Sequence, residues 1–468
     1  MKLAEMRDSL KDFWNEFKKE KTGVVGLILF AIFLFIVIFE SFLLPFEDAN
    51  TRWRDISYWQ DWPKSSPPAW TNWFTSDKKA VTEQLTEFKE NSQDLGAMVM
   101  KEFTFDYDYQ FDDAPNDIII HGNASGQPIV VVNIIRPDGT DLEVYQSTYN
   151  AGERPKDIRI SVDNSSRDII YNFAKKFETP EDLSKVKPGL IKTTNGIFAK
   201  AESGILRNPV ALKGDYQIKI TAILRSKADN METPYIVLPG KVSGVLGTDS
   251  QKRDIWTGVL AGVKWALLIG ILTAIVSVAI GVIYGVISAY LGGWKDALMQ
   301  RVFEIFVSVP LLPVLIVLSA VFEPSIWTMV LMMALFFWTG SVKTVRSMAM
   351  QIKEETFIEA SKALGASNFR IIFKHMVPIL IPYSFSSIAL FIPGAVVYEA
   401  TISLLGLGDS QIVTWGQILS DALHSGAVLN GLWWWVVPPG LAIAFMGMAF
   451  AFIGFSMDKI LHPKLRTR

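Results

Sequence analysis

Six apolar runs, each long enough to cross a lipid bilayer, constrain this chain more than any other feature. They cover residues 23–44, 265–291, 302–322, 325–342, 379–397 and 433–457. A hydrocarbon core of roughly 30 Å takes about 20 residues of helix. Inside it no water is present to satisfy backbone N–H and C=O groups, so a spanning segment must be a helix or part of a closed barrel. These runs are continuous rather than alternating, which selects helices. The second is long enough to tilt or to project from the bilayer. Pro310 and Pro313, Pro382 and Pro393, and Pro438 and Pro439 fall inside the third, fifth and sixth runs. They predict bent helices that share a bundle. The first run is too long for a signal-peptide core, and no A-x-A-like site follows it, so it reads as a retained helix.

Lys and Arg counts set the orientation. Residues 1–22, the loops 292–301 and 343–378, and the tail after residue 457 carry eighteen between them. The short loops 323–324 and 398–432 carry none. Both termini are therefore expected in the cytoplasm, with the protein multi-pass in its membrane. Net charge is −2, which suggests no nucleic-acid partner. The chain has no cysteine, which excludes disulfides, thiolate metal sites and cysteine nucleophiles. No G-x-x-x-x-G-K-[ST] phosphate loop occurs, so no ATP is expected to bind by that route. His121, His375, His424 and His462 are scattered without metal-like spacing. We assign no catalytic residue, metal ligand or cofactor to this chain, and expect no enzyme activity.

Two stretches lie outside the runs. In residues 1–22, Leu3, Met6, Leu10, Phe13, Trp14 and Phe17 recur at three- and four-residue spacing. They predict an amphipathic helix lying on membrane lipid or on a partner. Residues 46–245 have the composition of a soluble domain. Segments 118–120, 130–135, 158–162 and 216–224 read as strands, and 166–177 as a helix capped by Ser165 or Ser166. One α+β domain outside the membrane is expected there.

Residues 359–378 read EASKALGASNFRIIFKHMVP. A helix over 354–364 should end at Gly365 in a left-handed turn. A second short helix, capped by Ser367, should run to about His375 and stop before Pro378. Glu359, Ala360, Gly365, Ile371 or Ile372, His375 and Pro378 stand where the "EAA" loop of ATP-binding-cassette (ABC) importer permeases has its marked positions, and this segment resembles that loop. Other stretches resemble the C-type subunit of the oligopeptide/dipeptide branch. These are Leu246, Gly247, Thr248 and Asp249 with Arg253 and Asp254, then Gly281, Gly285, Tyr290, Gly292, Gly293 and Asp296. Ser403 to Gly408 with Trp415 and Gly416 follow, and then His462 to Arg466. Lys252 departs from the pattern, since glycine is usual there. So does the length of 46–245.

The resemblance implies an α-helical polytopic membrane protein with the six-helix type I ABC importer permease fold. Residues 246–468 would form a permease core with five of the helices, carrying a coupling loop at 350–378. It implies a subunit that translocates peptides, with nickel or a glycoconjugate as alternative cargo. Its partners would be a second homologous permease, two ATPase subunits that bind ATP and Mg, and an external substrate-binding protein. ATPase coupling would fall to Glu359, Ala360, Ser361, Gly365, Ala366, His375 and Pro378. The substrate path would include Glu399 and Tyr398. Gly281 and Gly285 form a G-x-x-x-G pair suited to helix packing. A membrane-anchored sensor and an enzyme sited in 46–245 are rival readings.

Overall fold

A computed structural model describes residues 13–461, apart from 45, 47, 97, 149–156, 188, 190 and 227–228. Leu3, Met6 and Leu10 of the amphipathic stripe, and the terminal motif from His462, lie outside the described residues. The chain divides into two compact units, Met1–Arg54 with Thr257–Arg468, and Asp55–Trp256.

The first unit is helical. Among the described residues four helices are long and apolar enough to span a membrane: α1 (Lys21–Ile38), α2 (Ile255–Leu291), the stretch Asn368–Leu404, and α10 (Trp433–Leu461). Two pairs of bent helices pass the same test of length and apolarity when each pair is taken as one span. In the first, α3 (Gly293–Ser308) meets α4 (Leu311–Val321) at 80°. In the second, α5 (Ile326–Phe337) meets α6 (Thr339–Lys353) at 42°. The third run is thus not one helix. A residue before proline is driven out of the helical region, and Val309 takes ψ 124° ahead of Pro310. The shorter helices Glu40–Leu43 and Ala49–Arg54, with α7 (Thr356–Ala363) and α9 (Trp415–His424), belong to the same unit, and α8 (Val377–Leu404) makes up most of the stretch Asn368–Leu404. Pro382 and Pro393 sit within α8 without ending it.

Close helix approach explains several glycines. A Cβ on Gly281 would lie 2.5 Å from the Trp338 carbonyl oxygen. One on Gly285 would lie 2.8 Å from Val345 Cγ1. The pair therefore lets α2 lie directly on α6. At the other edge of the bundle α1 lies on α10. Phe30 meets Phe450 at 5.3 Å and Lys459 pairs with Glu20 at 2.7 Å.

The second unit is α+β. Its larger sheet has five antiparallel strands, centred on Val99–Tyr109, Gly214–Leu224 and Ile129–Ile135. Gly214–Leu224 alternates buried and half-buried residues, as one covered face requires. A four-stranded sheet joins Glu83–Leu85, Tyr235–Leu238, Ile119–His121 and Ile158–Arg159. The expected strand at 158–162 is thus only two residues long. The helix runs Asn164–Ala174, and its cap is Asp163, which accepts from the Ser166 N–H at 2.7 Å. An Asp three residues upstream outcompetes the serines because its carboxylate reaches the free N–H groups directly.

The boundary between the units falls at Asp55 and Trp256 rather than at 46 and 245. Residues 246–254, expected in the permease core, fold into the second unit. Thr248 Oγ1 donates to the Pro63 carbonyl at 2.6 Å and accepts from the Ser66 N–H at 3.0 Å. Asp249 Oδ1 accepts the N–H groups of Gln251 and Arg253, both at 2.8 Å. Lys252 takes φ +69° in this turn. That left-handed conformation costs an L side chain roughly 1–2 kcal/mol, which is the physical reason a glycine suits the position. Its Nζ donates to the Gln60 carbonyl at 2.6 Å.

Gly281→Val tests the α2–α6 approach. Overpacking a close contact costs about 1–3 kcal/mol, so the thermal unfolding temperature of the detergent-solubilised chain should fall clearly. Gly440→Ala, where an added Cβ meets nothing within 4 Å, should leave it near wild type. Equal behaviour of the two variants would contradict the packing described.

Candidate functional site: a loop seated on the second membrane helix

The segment between α6 and α8 folds as a bracket. Helix α7 ends in a Schellman turn. The Gly365 N–H donates to the Lys362 carbonyl at 2.9 Å and the Ala366 N–H to the Ser361 carbonyl at 3.0 Å. Gly365 takes φ +80° with nothing within 4 Å of an added Cβ, so its conformation, not crowding, calls for glycine. Helix α7 is shorter than the expected 354–364. Ser367 then caps the next turn, its hydroxyl accepting from the Arg370 N–H at 3.3 Å.

The second helix does not stop before Pro378. Asn368–Arg370 leads into a π-helical turn, Ile371–Met376, and directly into α8, making one rod from Asn368 to Leu404. Pro378 has no N–H to give the Lys374 carbonyl. The wider π turn just ahead of it re-pairs the chain and lets the rod continue.

The bracket is fastened by an apolar joint. Ile358 and Ile371 are fully buried, with Ile372 and Met376, against Val282, Val286 and Tyr290 of α2 and Val345 and Ala349 of α6. Tyr290 Oη donates to Asn368 Oδ1 at 2.9 Å. Lys362 Nζ lies 5.5 Å from the centre of the Tyr290 ring. One turn away, Arg346 grips Asp296 with both arms, at 2.9 and 2.5 Å, and Ser288 also donates to Asp296. That fork ties α6 to the start of α3 and to α2.

The opposite face of the bracket is bare. Leu364 is 88% exposed and Phe369 71%. Phe369 and Phe373 pack with ring centres 4.5 Å apart and planes tilted by 36°. Glu359, Ala360 and Ala363 are exposed beside them. An apolar patch rimmed by polar groups is the usual mark of a protein contact.

Of the residues singled out in the sequence, the bracket unites seven. Glu359, Ala360, Gly365 and Pro378 are exposed, and Ser361, Ala366 and His375 are half-buried. Ser361 Oγ donates to the Phe357 carbonyl at 2.7 Å. Glu399 and Tyr398 stand apart, about 30 Å further along α8 at 1.5 Å per residue. Glu399 is 3% exposed and accepts from Ser403 Oγ at 2.7 Å, with Thr414 as a second partner. Tyr398 packs on Phe337, ring centres 5.3 Å apart. Glu399 thus fastens the end of α8 to the cap of α9.

Ile358, Tyr290 and Asn368 were not singled out as fasteners. Only the Ile358, Ile371 and Ile372 pattern on one face could have flagged the joint. A second constellation was also missed. Asp61, His121 and Asp157 come from distant segments and meet in the second unit. Burial lowers the pKa of the His121 ring, but the Asp61 and Asp157 carboxylates outweigh it, so the net shift is upward.

Comparison with known proteins identifies the family. Residues 277–467 match the family described as the binding-protein-dependent transport system inner membrane component. Residues 9–68 match the N-terminal TM domain of oligopeptide transport permease C. The dipeptide transport system permease protein DppC of Bacillus subtilis is 34% identical over 49% of this chain and 71% of its own length. The oligopeptide transport system permease protein OppC of Haemophilus influenzae is 34% identical over 47% and 70%. Among solved structures, an inward-facing MetNI methionine ABC transporter is similar over 44% of this chain and 95% of that chain, at 20% identity and a TM-score of 0.32. The chain belongs to the binding-protein-dependent inner-membrane transport permeases, in the branch that holds the dipeptide and oligopeptide permease C proteins.

Ile358→Ala tests the joint. Truncating a buried isoleucine costs about 2–5 kcal/mol, all of it at the seat of the bracket. Backbone amides of residues 356–376 should exchange hydrogen much faster, while those of α10 stay protected. Unchanged exchange in 356–376 would mean that the bracket is held by something else.

Proposed function

We propose that this chain is one of two paired permease subunits of an ABC importer that carries peptides across the cytoplasmic membrane. The observation that carries this reading is the bracket. It offers a bare apolar face to a partner while its other face is locked to the bundle. A part with those two faces passes movement from outside the membrane unit into it. The chain has no phosphate loop, so the work comes from partner ATPases, which bind ATP and Mg and dock on Leu364, Phe369 and the alanines around Glu359. Charge counting in the short loops favours a cytoplasmic position for this face and both termini, with the second unit outside. There the second unit receives the external binding protein or shapes the entrance. Peptide cargo is supported by the dipeptide and oligopeptide relatives.

The mechanism follows from the joint. When two ATPase subunits close on ATP, each pulls a bracket. Because Ile358, Ile371 and Met376 are packed on α2, that helix moves with it and the pathway between the two permeases changes side. Gly365→Val forbids the left-handed turn at a cost of order 1 kcal/mol or more and tilts the docking face. Glu359→Lys reverses a charge in that face without touching a span. Both variants should insert normally yet lose co-purifying ATPase subunits or substrate-stimulated ATP turnover in the reconstituted complex. Wild-type values for both measurements in both variants would overturn the assignment.

A further inference from the structure

The second unit holds a cavity of about 730 Å³ whose wall includes Asp61, His121, Asp157, Glu83 and Glu232. No step of transport described above uses it. His121 is 8% exposed and its ring stacks on Tyr235, centres 4.6 Å apart and planes 16° apart. The ring is therefore held in one orientation. Its Nδ1 lies 2.7 Å from Asp157 Oδ1. Its Nε2 lies 2.8 Å from Asp61 Oδ2, yet that oxygen stands off the N–H direction and Nε2 has no aligned hydrogen-bond partner. The other Asp61 oxygen accepts from Arg159 at 2.7 Å, and Gln60 Nε2 reaches the second Asp157 oxygen at 3.5 Å.

We propose that this cavity binds a divalent transition-metal ion of the zinc class, ligated by His121 Nε2 and Asp61 Oδ2. Zinc sits about 2.0–2.2 Å from nitrogen and carboxylate oxygen. Two such ligands on a tetrahedral ion stand about 3.3–3.6 Å apart, so these two atoms, 2.8 Å apart and off each other's hydrogen-bond axis, would separate by roughly half an ångström as the ion enters between them. Asp157 on Nδ1 is the orienting carboxylate that metal-bound histidines usually have. One ligand atom from each of the three residues lies within 4.8 Å of the others. Water in the open cavity completes the coordination. Glu83 and Glu232 make the surroundings negative, and Arg159 holds Asp61 in place through its other oxygen. The inference stands apart from the transport reading, since it concerns one unit and its own side chains.

The test uses the full chain in detergent, freed of any purification tag and stripped with a chelator. Zinc chloride titrated by calorimetry should show one saturable site. Cobalt(II) in its place should give the visible absorption of a low-coordinate site. Asp157→Asn should weaken zinc binding about 10- to 100-fold. Asp61→Asn and His121→Ala should remove the site. Unfolding curves check that each variant is folded. Wild-type protein without a one-to-one zinc site would overturn the proposal and leave an ion-pair network only. So would folded Asp157→Asn and His121→Ala variants that bind zinc as tightly as wild type.

Discussion

The apolar joint between the bracket and α2 is the contact on which the rest of the membrane unit's behaviour depends. Burying one aliphatic side chain is worth about 1.5–3 kcal/mol. Ile358, Ile371, Ile372 and Met376 are buried together in it. A joint of that size is stronger than an exposed ion pair, which is worth about 0–1 kcal/mol. The two polar fastenings add direction rather than strength. Tyr290 to Asn368 sets the angle of the bracket on α2, and the Asp296–Arg346 fork fixes α6 beside it.

The same chain uses prolines and glycines in opposite ways along its spans. Pro310 breaks a helix outright and turns the next segment by 80°. Pro378, Pro382 and Pro393 lie in a rod that continues for 37 residues. The π turn beside Pro378 accounts for that difference at one end. Gly281 and Gly285 allow α2 and α6 to touch, while Gly365 is needed for its dihedral alone. These local choices leave α2 closely packed on α6 and on the bracket.

Much of this was legible in the sequence, because its signals were local. The spans follow from uninterrupted apolar length, the Gly365 turn from a glycine after a helical pattern, and the Ser367 cap from a serine before one. The approach at Gly281 and Gly285 follows from small residues one helical turn apart. What escaped was non-local or a contest between local rules. Pro378 reads as a stop, yet a π turn absorbs it. The serines at 165 and 166 read as a cap, yet Asp163 reaches further. Residues 246–254 read as the threshold of a span, yet Thr248 and Asp249 bond back to Pro63, Ser66 and their own turn. Asp61, His121 and Asp157 have no spacing that betrays them, since a sheet and two loops bring them together.

The central claim is that bracket and α2 move as one body during transport. The cysteine-free chain allows this to be read directly. Tyr290→Cys and Asn368→Cys would be introduced together and bridged by a short bis-methanethiosulfonate reagent in the reconstituted transporter, with uptake followed before and after reduction. If the joint never opens, the bridge leaves substrate-stimulated ATP turnover and uptake at the level of the unbridged double variant. If uptake stops on bridging and returns on reduction, the joint opens during the cycle and the account is wrong.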